Sequence, residues 1–418
     1  MVEIKNENVK KENEDLVVLS LFDGMSCGQI ALEQAGVKVK KYMASEIKKF
    51  AINQTLKNFP NTIMVGDVTK LHYQKTTKKL YANCERKVVC TLESEGKKEW
   101  SKEELKSFRR RKLQILPNGD VVKWSKKGRV LVHEGEIDLL IGGSPCQGFS
   151  MAYGYIRSQE TSGLKHVQSC LFFEYLRLLK EIRPQKWFLE NVKMKKSNEE
   201  ALNTYLGRKG IHINSNLLTF QNRERIYWTN IRGVKPPKDL KVNFQDYKLV
   251  TLPRVERWIR ATKFEGETKP LDLTPMEIDE IYKKNKWVHE EIQMINPKAT
   301  KEDVVEEVHR NLFIACAKRS ASKDRFWNGG IYDPKKFTCQ NITNSNKVFA
   351  LTRKQDRCPC SGLIAFDNHF RFLAQLELCK AQGVPYHYLH DISYNKQQDV
   401  LGDGWTIDVI KLFFEKLR

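Results

Sequence analysis

Long apolar runs are absent from this chain of 418 residues. Nowhere does one approach the ~20 residues that a membrane-spanning helix requires. Residues 1–16, MVEIKNENVKKENEDL, alternate charges without the apolar centre of a secretory leader. The expected location is therefore the compartment of synthesis, the cytoplasm. Cysteine is scarce, 10 residues at irregular spacings, which excludes a disulfide framework and fits reduced thiols. Cys358 and Cys360, even taken with Cys84 and Cys90, lack the C-x2-C spacing of a structural zinc site, so no metal is expected. Internal repeats and low-complexity tracts are missing as well. Acid is in deficit: 51 Asp and Glu face 72 Lys and Arg, a formal charge of +21. An excess of that size attracts a polyanion through counterion release, and nucleic acid is the leading candidate. Basicity alone does not separate DNA from RNA or from an acidic membrane surface. At 40% hydrophobic and 29% charged, the chain reads as globular, long enough for two or three domains.

What is present is an α/β rhythm. The apolar run Val17 to Phe22 enters a turn, Asp23-Gly24-Met25-Ser26-Cys27-Gly28, followed by a helical pattern from Gln29 to Gln34 that closes at Gly36. A second strand, Lys41 to Ser45, ends at Glu46, and a third, Thr62 to Val65, ends at Asp67. Strands alternating with helices imply a doubly wound, Rossmann-like parallel sheet. Residues 71–136 break the rhythm with a basic, β-rich stretch carrying two hairpin-like turns, Pro117 to Asp120 and Ser125 to Gly128. This insertion either contacts nucleic acid or decorates the surface. The rhythm resumes from Ile137 to about Arg232, with a helix over Ser169 to Ile182 and a strand ending at Glu190. We divide the chain into 1–232, a catalytic and cofactor-binding domain; 233–345, a smaller recognition region; and 346–418, a returning segment that completes the first. Two capping boxes, Thr274 to Glu277 and Thr300 to Asp303, open helices in the middle region, and an amphipathic helix, Ile407 to Leu417, ends the chain.

The chemistry gathers at strand ends. Gly143-Ser144-Pro145-Cys146-Gln147-Gly148 follows an apolar strand and sets one thiol on the turn beyond it, where open parallel sheets bind their ligands. Glu190-Asn191-Val192 follows another strand, so Cys146 and Glu190 are expected at one sheet edge, a nucleophile beside an acid. Glu46 and Asp67, behind a glycine-containing first turn, suit the ribose and adenine of a nucleoside cofactor. That first turn is not the dinucleotide fingerprint G-x-G-x-x-G. Asp23 stands where a pyrophosphate would be repelled, which favours a cofactor carrying an amino or sulfonium cation. Arg223 and Arg225 alternate, hence share one face if extended, where they could hold a polar ring or a phosphate.

The order Phe22-Asp23-Gly24-x-x-x-Gly28, Glu46, Asp67, Pro145-Cys146-Gln147, Glu190-Asn191-Val192, Arg223-x-Arg225 and Gly402-Asp403-Gly404-Trp405-Thr406 resembles the motif series of the cytosine-C5 DNA methyltransferases. Leu19 to Gly24, Gly143 to Cys146 and Gly383 to Tyr388 are similar in wording to the de novo branch of mammals and its bacterial and phage relatives. The resemblance implies transfer of a methyl group from S-adenosylmethionine to C5 of cytosine in double-stranded DNA, through a Cys146 adduct on a flipped base. Phe22, Asp23, Gly24, Met25, Ser26 and Cys27 would line the cofactor's methionine part, with Glu46 and Ile47 at the ribose, Asp67 and Val68 at the adenine, and Trp405 closing the pocket. Glu190 would serve ring N3, while Arg223 and Arg225 hold the base carbonyl and its loop. A mobile loop, Ser150 to Lys165, would close over the base. It implies a bacterial or phage-infected cytoplasm, or the nucleus of a eukaryote. Two departures stand out. The insertion is longer than the usual link, and the motif that supports the recognition region is loosely matched at Phe370 to Glu377, with Arg353 a rival to Arg371. An RNA cytosine-C5 methyltransferase of the same fold and a non-catalytic DNA-binding regulator are the alternatives; the second is expected to lack the cysteine or the glutamate.

Overall fold

The computed structural model describes residues 15–84, 88–92, 101, 113–115, 121–124, 128–145, 171–264, 271–316, 345–353, 364–366 and 369–418. Cys146, the 150–165 loop and most of 317–363 therefore lie outside the described residues.

The chain opens with β1 (Leu16–Leu21), α1 (Cys27–Gln34), β2 (Val39–Ser45), α2 (Lys49–Asn58) and β3 (Ile63–Met64). The insertion supplies β4 (Leu71–Gln74), β5 (Lys79–Cys84), β6 (Val88–Leu92), β7 (Leu113–Ile115), β8 (Val121–Trp124) and β9 (Gly128–Glu134). There follow β10 (Leu139–Gly143), α3 (Leu171–Ile182), β11 (Lys186–Val192), α4 (Lys196–Leu206), β12 (Ile211–Asn214), β13 (Gln221–Asn222) and β14 (Glu224–Thr229).

Seven of these strands form one sheet in the order β12-β14-β11-β10-β1-β2-β3, in which β14 alone runs antiparallel to its neighbours. β1 lies inside the sheet because it is apolar on both faces. Val18, Leu139, Ile141 and Phe188 face one way and pack with Ile30 and Ala31 of α1. Leu19, Leu21, Leu140 and Leu189 face the other and pack with Phe172 and Tyr175 of α3. The order reverses between β1 and β10, and the crevice beyond their carboxyl ends is the topological switch point of such a sheet.

The insertion is β-rich, as its sequence implies, but one turn is not what it resembles. β7 and β8 do pair as a hairpin across the Pro117 to Asp120 segment, which is itself outside the described residues. The strands flanking Ser125 to Gly128 do not pair with each other: β8 pairs with β6, and β9 with β5. Asn83 faces Arg129 and Thr91 faces Val122, with the register shifting between Val88 and Cys90. A glycine-lysine turn signal is local, whereas register is set by the distant partner strand.

The middle region is helical where it is described: α5 (Pro253–Phe264), α6 (Pro275–Lys284), α7 (Lys286–Gln293) and α8 (Lys301–Ala315). Thr274 and Thr300 form the two expected capping boxes. The apolar side chains of these helices belong to the same buried cluster as one face of the sheet. β15 (Val348–Phe349), β16 (Ile364–Phe366) and β17 (His369–Arg371) precede α9 (Gln375–Gln382), α10 (Tyr394–Asp403) and α11 (Ile407–Phe414). α11 lies on α1. Arg371, not Arg353, is the buried arginine of this region. It pairs with Glu377 at 2.8 Å, and both side chains bond the Leu249 backbone. Arg353 is exposed and lies near Asp399 and Asp403. Removing one partner of a buried pair costs about 3–5 kcal/mol, so Arg371 and Glu377 tie the helical region to the returning segment. No helix among the described residues is long and apolar enough to cross a membrane.

Candidate active site

The turn after β1 is bent by three residues in the left-handed region: Phe22 at φ 58°, Gly24 at 60° and Ser26 at 60°. Only the glycine takes this conformation freely, and a bulky residue there stores strain of the kind concentrated at functional sites. Partners hold the turn in place. The Gly24 N–H donates to Glu46 Oε2 at 2.8 Å, and the Tyr388 hydroxyl donates to the Met25 carbonyl at 2.7 Å. Asp23 is buried, accepting from the Tyr42 hydroxyl at 2.7 Å and from the Ser26 hydroxyl. Burial pushes its carboxyl up to about 6, against those hydrogen bonds. Cys27 is buried too, and desolvation drives its thiol up to about 12, so it is no nucleophile.

Glu46 ends β2, and its other oxygen accepts from the N–H groups of Ile47 and Lys48. Ile47 is 69% exposed, an apolar side chain held at the rim beside a carboxylate. Asp67 caps the turn at Val68, taking the Thr69 N–H at 3.0 Å, and Val68 is buried beneath it. A Cβ at Gly24 meets no protein atom within 4 Å and would fill the cradle over this turn. Glu46 thus meets the first turn at Gly24, and Asp67 stands at the end of the neighbouring strand β3.

The second half of the edge is built differently. Glu190 sits in β11, in register with Gly143 of β10 and Tyr227 of β14. It is 9% exposed, and Arg225 Nε lies 3.0 Å from its Oε1. Burial raises its proton affinity, opposed chiefly by the charges of Arg225 and Arg223. Asn191 next to it donates to Ser144 Oγ at 3.0 Å, fixing the chain two residues before Cys146. Cys146 itself is outside the described residues.

The two arginines part company. Arg225 pairs with the carboxylate, whereas the Arg223 guanidinium donates to the carbonyls of Leu351, Gly402 and Gly404 at 2.9 to 3.2 Å. The expectation that Arg223 holds the base carbonyl is therefore corrected: its NH1 and NH2 groups bind backbone of the returning segment, because Asn214 and Ser215 turn the chain at Arg223 and swing its side chain inward. Sequence reasoning missed Gln382 and Ser215, which with Thr406 are buried and bonded in series around Gly404. Isolated glutamines and hydroxyls give no local signal.

A sheet of this strand order, with a glycine turn after its first strand and a buried carboxyl at the end of β11, defines a Rossmann-like methyltransferase fold. The C-5 cytosine-specific DNA methylase profile matches residues 81–418, and the chain belongs to that family. It is 29% identical over 230 residues to the orphan methyltransferase M.Rho11sI of Bacillus phage rho11s, covering 52% of this chain and 33% of that protein. It is 37% identical over 123 residues to the type II methyltransferase M1.ScrFI of Lactococcus lactis subsp. cremoris, covering 27% and 28%. The matched stretches thus span about a third of those relatives' own lengths. A prophage-encoded putative DNA modification methyltransferase of E. coli, known from a crystal structure, aligns over 96% of this chain with a TM-score of 0.48 and 16% identity.

Proposed function

We propose that this protein transfers a methyl group from S-adenosylmethionine to C5 of cytosine in double-stranded DNA. The observation that carries the reading is the buried Glu190 carboxyl, held by Arg225 and in register with a strand that ends three residues before Cys146. Phe22 to Cys27, Glu46, Ile47, Asp67, Val68 and Trp405 would hold the cofactor. When bound, it supplies an electrophilic methyl on a sulfonium.

The chain's own residues do the rest. A base extruded from the duplex, at a cost of a few kcal/mol, would lie between Cys146 and Glu190. The Cys146 thiolate adds to C6 while Glu190 delivers its proton to N3, so the electron pair gathers at C5 and makes it a nucleophile. After methyl transfer the C5 proton passes to solvent, and expulsion of the thiolate with return of the N3 proton to Glu190 restores the aromatic ring and the enzyme. A carboxyl with raised proton affinity suits this step, since it must arrive protonated near neutral pH. Arg225 orients it and faces the base carbonyl. The domain division given above fits this assignment, with 233–345 as the DNA-reading region.

Bisulfite sequencing of DNA from cells expressing the protein tests the reading. New 5-methylcytosine in a fixed sequence context, absent with Cys146→Ser, is the expected result. Methylation of tRNA instead of duplex DNA would turn the assignment to the RNA enzyme.

A further inference from the structure

Between α9 and α10 the chain makes one short 3-10 turn, Tyr386–Tyr388, entered through Pro385. Such a turn brings residues i and i+3 into line, so side chains two apart leave it in different directions. Tyr386 and Tyr388 do so, and both are buried. Tyr388 serves the cofactor side. Its hydroxyl donates to the Met25 carbonyl at 2.7 Å, and its ring centroid lies 6.0 Å from that of Phe59. Its own carbonyl accepts from Gln54 of α2 and from Asn58 at 3.4 Å. Tyr386 serves the helical region. Its hydroxyl donates to Glu307 Oε1 at 2.6 Å and accepts from Arg310 at 2.6 Å and Asn311 at 3.1 Å, all on α8. Its backbone N–H donates to Glu291 Oε2 of α7 at 3.0 Å.

A phenol has one proton to give and two lone pairs to fill, so the Tyr386 hydroxyl is fully committed to α8. A buried network satisfied in this way holds one arrangement of its members. The first turn needs a fixed support of that kind, because Phe22 and Ser26 hold left-handed φ values that persist only where the surroundings impose them. Met25 lies inside that turn and is buried, so its carbonyl needs a protein donor. Tyr388 supplies one, from a segment that α7 and α8 hold by the other tyrosine.

We propose that the Tyr386–Tyr388 segment is a strut through which α7 and α8 set the cofactor turn, with Tyr388 as the positioning residue and Tyr386 as its anchor. This rests on the methyltransferase reading and deepens it, since the region read as DNA-contacting then bears on cofactor affinity through named hydrogen bonds. Neither tyrosine has a part in the bond-making steps. Their loss changes how tightly the cofactor is held, not how fast it reacts once held.

The test uses the full chain with Tyr388→Phe, Tyr386→Phe and the pair, each change keeping a ring and removing one hydroxyl. Tyr388→Phe should weaken S-adenosylhomocysteine binding by calorimetry about fivefold, the loss expected from one hydrogen bond. KM for S-adenosylmethionine should rise with it, while kcat holds within about twofold. Tyr386→Phe should weaken binding about threefold although its hydroxyl is bonded only to α8, and should add nothing in the Tyr388→Phe background, because the two act in series. Unchanged affinity in Tyr386→Phe, or two losses that multiply, overturns the proposal.

Amide exchange of the protein alone gives a readout that needs neither cofactor nor DNA. The Asp23, Gly24 and Ser26 N–H groups donate to the Ser45 carbonyl, Glu46 and the Asp23 carbonyl, so their exchange reports opening of the turn. It should quicken in both variants while the amides of β1 and β10 keep their rates, which separates the strut from a general loss of stability. Acceleration confined to α8 and its neighbours in Tyr386→Phe, or spread evenly through the sheet, overturns the proposal. If the wild type binds no S-adenosylhomocysteine but exchange behaves as described, the methyltransferase reading falls and the strut stands.

Discussion

The two halves of the sheet's carboxyl edge carry acids in opposite settings. On the β2 and β3 side, Glu46 and Asp67 are half-buried and spend their oxygens on backbone N–H groups. On the β11 side, Glu190 is buried, paired with Arg225 and near the charge of Arg223. The first arrangement orients carboxylate oxygens at a partly hydrated rim, which is what recognition of hydroxyl and amino groups requires. The second holds a carboxyl whose proton is easier to keep, which is what acid catalysis requires. One fold obtains both from the same residue types by changing only how much water and which charges surround them.

The sharpest way to break this comparison is Glu190→Gln. Turnover should fall by about 10²- to 10⁴-fold, as expected for loss of a general acid, with cofactor affinity by calorimetry unchanged. A fall in affinity without a fall in turnover would merge the two halves into one binding site.

Asp23 lies between the halves and gives the next largest effect. Burial raises its pKa in the folded protein to about 6, from the ordinary 3.8. The contribution is complete below the unfolded value and is lost as pH rises between the two. Above both values the ionised, buried carboxylate costs roughly 3 kcal/mol, taking 1.36 kcal/mol per unit. Denaturant unfolding of the wild type should therefore show this loss between pH 4 and 6 when compared with Asp23→Asn, in which it should vanish.

Glu46→Ala should weaken S-adenosylhomocysteine binding by about 1.5–3 kcal/mol while turnover at saturating cofactor holds within a few-fold. The smallest change is Lys48→Ala. This lysine forms an exposed ion pair with Asp403 at 2.6 Å, from the cofactor rim to the returning segment. Such pairs contribute at most about 1 kcal/mol, and the effect should disappear in high salt.

Much of this edge could be read in the chain before any coordinates. Glu46, Asp67 and Glu190 each follow an apolar run, and a strand's direction puts its last residues at the edge where ligands bind. The sheet was legible for the same reason, since runs such as Leu16–Leu21 are apolar at successive positions and must lie inside. What escaped was set by distant partners. Arg223 and Arg225 look equivalent in sequence, yet one reaches Glu190 and the other the backbone of Gly404. Arg371 and Arg353 differ only in which one finds Glu377. The Ser125 to Gly128 segment carries a turn's composition, but its flanking strands pair with β5 and β6 instead. The apolar faces of the described helices of 233–345 join the sheet's own cluster.

The most direct test of the whole account is a duplex oligonucleotide carrying 5-fluorocytosine at a site the protein methylates, incubated with S-adenosylmethionine. Fluorine at C5 cannot leave as a proton does, so the account predicts a denaturation-resistant complex with the DNA attached to the peptide containing Cys146. Methyl transfer with no trapped complex, or a complex attached at another residue, would contradict it.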